Sequence, residues 1–134
     1  MKLLTYLFIT LSVAAFIALL VLASSANASI QQDACDAMNV KQCPRELPIV
    51  HASQDTMKFL GAAHGNAGRY TYGANTGNVI YLNGYLDLTT CYGKQYQFHE
   101  DVHTVQRNRG YQSEDEAYRL QDAWYVKCME GLHD

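Results

Sequence analysis

Basic charge is scarce in this chain: 10 Lys and Arg stand against 13 Asp and Glu, a formal net charge of −3. Without a basic surface there is no electrostatic footprint for nucleic acid, which is therefore not expected as a partner. Paired cysteine motifs are also missing. The four cysteines, Cys35, Cys43, Cys91 and Cys128, contain no Cys-x-x-Cys pair, which argues against a four-cysteine zinc site. Gln32-Asp33-Ala34 before Cys35 is not a lipid-attachment pattern, and the small-residue run Gly61-Ala-Ala-His-Gly-Asn-Ala-Gly68 matches no phosphate-binding fingerprint. No internal repeat, low-complexity tract or second domain is visible.

A long apolar run occurs once, at the start. Lys2 supplies a positive charge, Leu3 to Ala23 is apolar apart from Thr and Ser, and Ala26-Asn27-Ala28 has the small-x-small pattern of a signal-peptidase site. We read residues 1–28 as a secretory signal cut before Ser29, giving a periplasmic or extracellular protein. The alternative is an uncleaved anchor, since about 20 apolar residues can span a bilayer, and only then is a membrane a partner.

Removal of the leader leaves 106 of the 134 residues and a net charge of −4, room for one small domain, 29–134, with a thin core. An even cysteine count in an oxidising compartment implies two disulfides. Three pairings are open; the preferred one joins Cys35 to Cys43 around the proline-containing N-terminal loop, and Cys91 to Cys128 across two helices. Each bridge contributes about 2–4 kcal/mol in a chain-entropy account.

The expected class is α+β, with a small antiparallel sheet and two C-terminal helices packed beneath it. Gln32 to Met38 suggests a short helix, and Pro44 and Pro48 bracket a turn or extended stretch, so residues 29–50 are either scaffold or a latency segment over the cleft. Thr56 to Ala63 suggests a second helix. Asn78 to Leu88, with β-branched and aromatic residues around Asn83-Gly84, reads as a strand, a turn and a second extended piece, with a sheet edge at Val79 to Leu82. Phe98, Val102 and Val105 form the apolar stripe of a helix from Cys91 to Asn108, stopped by Gly110. Ser113, with Glu116 at the capping-box position, opens a last helix whose buried face is Ala117, Leu120, Trp124 and Cys128.

His99-Glu100-Asp101-Val102-His103 on the first of these helices is an HExxH sequence. Residues i and i+4 project from one side of a helix a turn apart, so two imidazoles can grip one zinc ion. Glu100 lies about 100° round from His99, flanking the metal, where it can take a proton from water as general base. With five His and five Glu in 29–134, shuffling would produce the motif about 0.01 times.

On these residues the stretch Tyr92 to Met129 resembles the zincin metallopeptidases. After His103 come Thr-Val-Gln-Arg-Asn-Arg, so the third histidine of the metzincin extension is absent and the third ligand must come from elsewhere. The resemblance to the gluzincin branch implies a glutamate on the following helix in a pattern Glu-x-x-small-Asp; Glu114 then ligates, Ala117 is the small residue, and Tyr118 replaces the family's aspartate. Glu114 to Trp124 is also similar to small exported HExxH proteins of unestablished substrate. Glu116 is the rival ligand, with capping as its other role. In a straight hairpin Glu114 lies about two turns from His103, so the first helix must end near Gln106 or the pair must splay; Asp122 sits at the right height but faces away.

The sequence therefore implies a minimal zincin-like, disulfide-stapled metallohydrolase using Zn2+ and Glu100 on a peptide or protein substrate. The alternative is a non-catalytic exported zinc-binding or disulfide-stapled interaction domain. His51, His64 and His133 are expected outside the site, and the nine tyrosines after the leader read first as amphipathic rim and core packing, with hydrogen bonding to a developing oxyanion as the alternative role for one of them.

Overall fold

The computed structural model describes residues 29–63 and 71–131; the leader 1–28, most of the small-residue loop with His64, Tyr70, and His133 lie outside them. The elements run α1 (Ile30–Ala37), β1 (Ile49–Ala52), α2 (Gln54–Ala63), β2 (Gly73–Asn75), β3 (Ile80–Asn83), α3 (Cys91–Asn108) and α4 (Glu114–Gly131). Each of α1, α3 and α4 starts at a hydroxyl that accepts a backbone N–H three residues on: Ser29 from Gln32, Thr90 from Gly93, and Ser113 from Glu116. Gly110, at φ +82°, breaks the path after α3.

Helix α3 is the axis of the fold. Phe98, Val102 and Val105 are fully buried against Ala34, Cys35 and Met38 on one flank and Ala117 and Leu120 of α4 on the other. Trp124 stacks on Phe98 with ring centroids 5.3 Å apart. Burial of each large apolar side chain here contributes about 1.5–3 kcal/mol. The opposite face meets β2 and β3, so every residue from Phe98 to Gln106 is buried. Packing α1 into this core makes residues 29–37 scaffold; none of them borders the large cleft described below.

The class is α+β, as the sequence implies, but the sheet is mixed rather than antiparallel. Its order is β1-β3-β2, with β1 parallel to β3 (Ile49 opposite Ile80) and β2 antiparallel to it (Asn75 opposite Ile80). Strand β3 falls in the expected stretch, yet it is paired on both sides, so Val79 to Leu82 is not an edge. After Asn83 the chain turns, with Leu86 N–H donating to Asn83 O and Tyr85 N–H to Asn83 Oδ1, and no second extended piece forms. Both partners of β3 come from upstream. Strand β1 has four residues and β2 three, too few to show a period, and Gly-Ala-Asn holds no strand former. Of the two C-terminal helices only α3 underlies the sheet; α4 packs along α3.

Both disulfides adopt the preferred pairing, Cys35–Cys43 and Cys91–Cys128. The second closes a loop with a sequence separation of 37 against 8 for the first. Loop-closure entropy then gives about 4 kcal/mol for Cys91–Cys128 and about 2.5 kcal/mol for Cys35–Cys43. Urea unfolding of the metal-free C91A/C128A and C35A/C43A pairs should show the larger loss in the former; the opposite order would mean that the small bridge holds α1 in the core by more than entropy.

Candidate metal centre

The HExxH sequence lies wholly within α3, and the fold brings a carboxylate to it. His99 Nε2 and His103 Nε2 are 3.1 Å apart. Glu114, the first residue of α4, sets Oε1 3.1 Å from His103 Nε2 and Oε2 3.3 Å from His99 Nε2. Among the described residues these three form the one His/Cys/Asp/Glu group able to hold a metal ion. The rival Glu116 points elsewhere: its Oε2 accepts from Gln106 Nε2 and from the Tyr111 hydroxyl, both at 2.8 Å. The Gln106 bond, followed by the Tyr111 bond, holds the Glu116 carboxyl below its ordinary range. Helix α3 does not end early, since it runs to Asn108; Glu114 reaches the histidines because it is the first residue of α4. Asp122 is exposed, and so is His51 on β1.

Two glutamines fix the histidine rings. Gln106 Oε1 accepts from Ser113 N–H at 3.1 Å, while its Nε2 donates to Ser113 O at 2.9 Å. The backbone thereby decides which end of the amide is oxygen. That oxygen lies 2.9 Å from His103 Nδ1, so Nδ1 carries the proton and Nε2 presents a lone pair. Gln121 Oε1 lies 2.8 Å from His99 Nδ1, and the Gln121 Nε2 donates to Gln95 Oε1, so a side-chain amide pair orients the His99 ring. Burial, and then the neighbouring His103, depress the His99 pKa below its usual value.

Two imidazole nitrogens and a carboxylate thus converge, an arrangement that can take a cation. The fit to a metal is geometric. Ligand atoms bonded at about 2.0–2.1 Å to a tetrahedral centre stand about 3.3–3.4 Å apart; the two Nε2 atoms are 3.1 Å apart, the Glu114 carboxylate meets them through different oxygens, Oε1 at 3.1 Å and Oε2 at 3.3 Å, and one ligand atom from each residue lies within 4.8 Å of the others. His99, His103 and Glu114 can hold a metal ion.

Glu100 borders the same cleft, a cavity of about 800 Å3 that also touches Gly73, Tyr72, Tyr96, Arg107 and Tyr118. Burial, then the charges of Glu114 and Asp101, push its carboxyl up to about 8, with Arg107 pulling the other way. Strand β2 passes so near that a Cβ on Gly73 would stand 2.6 Å from Glu100 Oε1, which only glycine allows. Asn75 pins β2 to α3, donating through Nδ2 to Glu100 O at 2.8 Å and to Thr104 Oγ1 at 2.7 Å. Arg107 is anchored on Asn75 O at 2.7 Å. Where the family resemblance places an aspartate, Tyr118 lays its ring against His99, centroids 4.6 Å apart; Gln121 makes the hydrogen bond instead.

Sequence reasoning missed Gln106, Gln121, Gly73 and Asn75. For Gln106 a signal existed: it stands three residues after His103, on the same side of a helix and reachable from the ring. The others come from segments distant in sequence, and nothing local marks them.

In metal titration by calorimetry, Glu114→Ala should lose zinc binding by two orders of magnitude or more, and Glu116→Ala should keep one ion per chain. Gln106→Leu should cost about 10- to 100-fold in affinity, since it frees His103 and the start of α4. A larger loss from Glu116→Ala than from Glu114→Ala would assign the ligand to the other carboxylate.

Comparison of the chain with protein-family models, with curated proteins and with solved structures finds no match.

Proposed function

We propose that the protein is an exported zinc-dependent hydrolase acting on peptide bonds. The observation that carries this reading is Glu100: a buried carboxyl without a hydrogen-bond partner among the described residues, bordering the cleft into which His99, His103 and Glu114 converge. A purely structural metal site needs no such group, which favours the enzyme over a non-catalytic zinc-binding domain. Three protein ligands also match the set that leaves one coordination position open to substrate or water.

Zinc held by His99, His103 and Glu114 would supply a Lewis acid for the scissile carbonyl and for the attacking water. Glu100 takes the proton of that water and returns it to the leaving amine. In the metal-free site burial and two neighbouring carboxylates favour its protonated form; a nearby cation acts in the opposite sense, so Glu100 becomes a base when the site is loaded. Tyr72, Tyr96 and Tyr118 are the tyrosines that border the cleft among the described residues, and their hydroxyls are the candidates for donating to a developing oxyanion. The substrate chain pairs with β2 rather than with β3, because β2 is the one of the two edge strands whose residues wall the cleft. Two disulfides fit an oxidising, extracytoplasmic setting. Among the described residues no helix is long and apolar enough to cross a membrane.

Glu100→Gln keeps the ligands and removes the base. Metal analysis should find one zinc per chain in wild type and variant alike, while cleavage of a mixed peptide library falls by about 10²-fold or more. Unchanged cleavage by the variant would sink the mechanism, and a wild type that takes up no zinc would sink the site.

A further inference from the structure

On the flank of α3 that meets α1 lies a second, much smaller cavity of about 60 Å3, with Ser29, Gln31, Glu46, Gln97 and Asp101 as its polar lining. Two buried side-chain oxygens have no hydrogen-bond partner among the described residues, Gln31 Oε1 and Asp101 Oδ2, and both residues border this cavity. Gln31 spends its Nε2 on Pro44 O at 2.8 Å, which leaves Oε1 as its free group. Asp101 is 3% exposed and lies inside the HExxH sequence, between Glu100 and His103. Burial pushes the Asp101 carboxyl up to about 7, with a hydrogen bond from Gln97 opposing and the charge of Glu46 adding to the rise. Both orphaned oxygens lack a donor, and a positively charged one would offset the cost of burying Asp101 in its ionised form.

Ser29 is the residue that the Ala26-Asn27-Ala28 pattern makes the first of the processed chain. Its hydroxyl and carbonyl are engaged with α1, accepting from Gln32 N–H and Asp33 N–H, each at 3.2 Å. Its nitrogen makes no hydrogen bond to a described residue. We propose that cleavage before Ser29 frees an α-ammonium that occupies this cavity and pairs with Asp101 and Gln31. Removal of the leader is thereby coupled to the stability of the helix that carries the metal ligands.

The proposal rests on the reading of residues 1–28 as a cleaved signal and is independent of the hydrolase reading. A signal peptidase hydrolyses the Ala28–Ser29 bond with one water, leaving a carboxylate on Ala28 and, after protonation, an ammonium on Ser29. Before cleavage that nitrogen is a neutral amide with one N–H. Afterwards it offers three donors and a positive charge, since an α-amine has an ordinary pKa of about 7.7–8.0. An ammonium at a helix N-terminus opposes the macrodipole, so it needs the anionic partner that Asp101 supplies. A water molecule would satisfy the two oxygens but would not offset the cost of ionising a buried Asp101.

The test uses the full chain expressed for export, with and without Gly-Ser-Gly inserted between Ala28 and Ser29, each made also with Asp101→Asn. Intact mass should place the natural N-terminus at Ser29. The insertion should lower the thermal midpoint by about 5 °C or more when Asp101 is present and by about 1 °C or less in the Asp101→Asn background. No loss, an equal loss in both backgrounds, or a mature chain that starts elsewhere overturns the proposal. If Asp101→Asn does not fold, amine-selective labelling near neutral pH decides. The α-amine of the natural form should be protected while its lysines react, and that of the insertion form should label freely; equal labelling overturns the proposal.

Discussion

The carboxamide of Gln106 makes four hydrogen bonds, to His103 Nδ1, Ser113 N–H, Ser113 O and Glu116 Oε2, in a side chain with no solvent exposure. That uses its whole bonding capacity. It replaces the reciprocal half of the capping box, since Ser113 N–H bonds Gln106 rather than the Glu116 carboxylate. The same amide sets the tautomer of one histidine and holds the backbone next to Glu114. Ring orientation and helix start are therefore one constraint, and the convergence of His99, His103 and Glu114 follows from it.

A helix buried on all sides is ordinarily apolar. Here His99, Glu100, Asp101, His103, Thr104 and Gln106 are all buried on α3, each a desolvation cost that partners must offset. Asn75, Gln106, Gln121 and Gln95 supply most of those partners. What remains unmatched is informative: Glu100 toward the cleft, and Asp101 toward the small cavity. So polar an axis leaves little apolar area for a chain of this size, which is why covalent bridges at both Cys35–Cys43 and Cys91–Cys128 matter to it.

The helical half of the fold was legible because its signals are local. The spacing of Phe98, Val102 and Val105, the hydroxyl of Ser113 before α4, and Gly110 each act within a turn or two of the chain. The pairing of His99 and His103 on one side of α3 was legible for the same reason, and Glu114, named from the resemblance, lies beside them. The sheet was not, because β1 and β2 exist only as partners of β3, and a four-residue and a three-residue segment carry no period of their own. Of the glutamines that orient the histidines, Gln106 carried a local signal in its spacing from His103, whereas Gln121 meets His99 across 22 residues of sequence and an amide has no motif.

The central proposal is that His99, His103 and Glu114 converge as they do because together they bind zinc. Anomalous diffraction from crystals grown with zinc, recorded on both sides of the zinc edge, tests it most directly. The account predicts one peak about 2 Å from His99 Nε2, His103 Nε2 and a Glu114 carboxylate oxygen. The absence of a peak there, or a peak coordinated by Glu116 in place of Glu114, would contradict it.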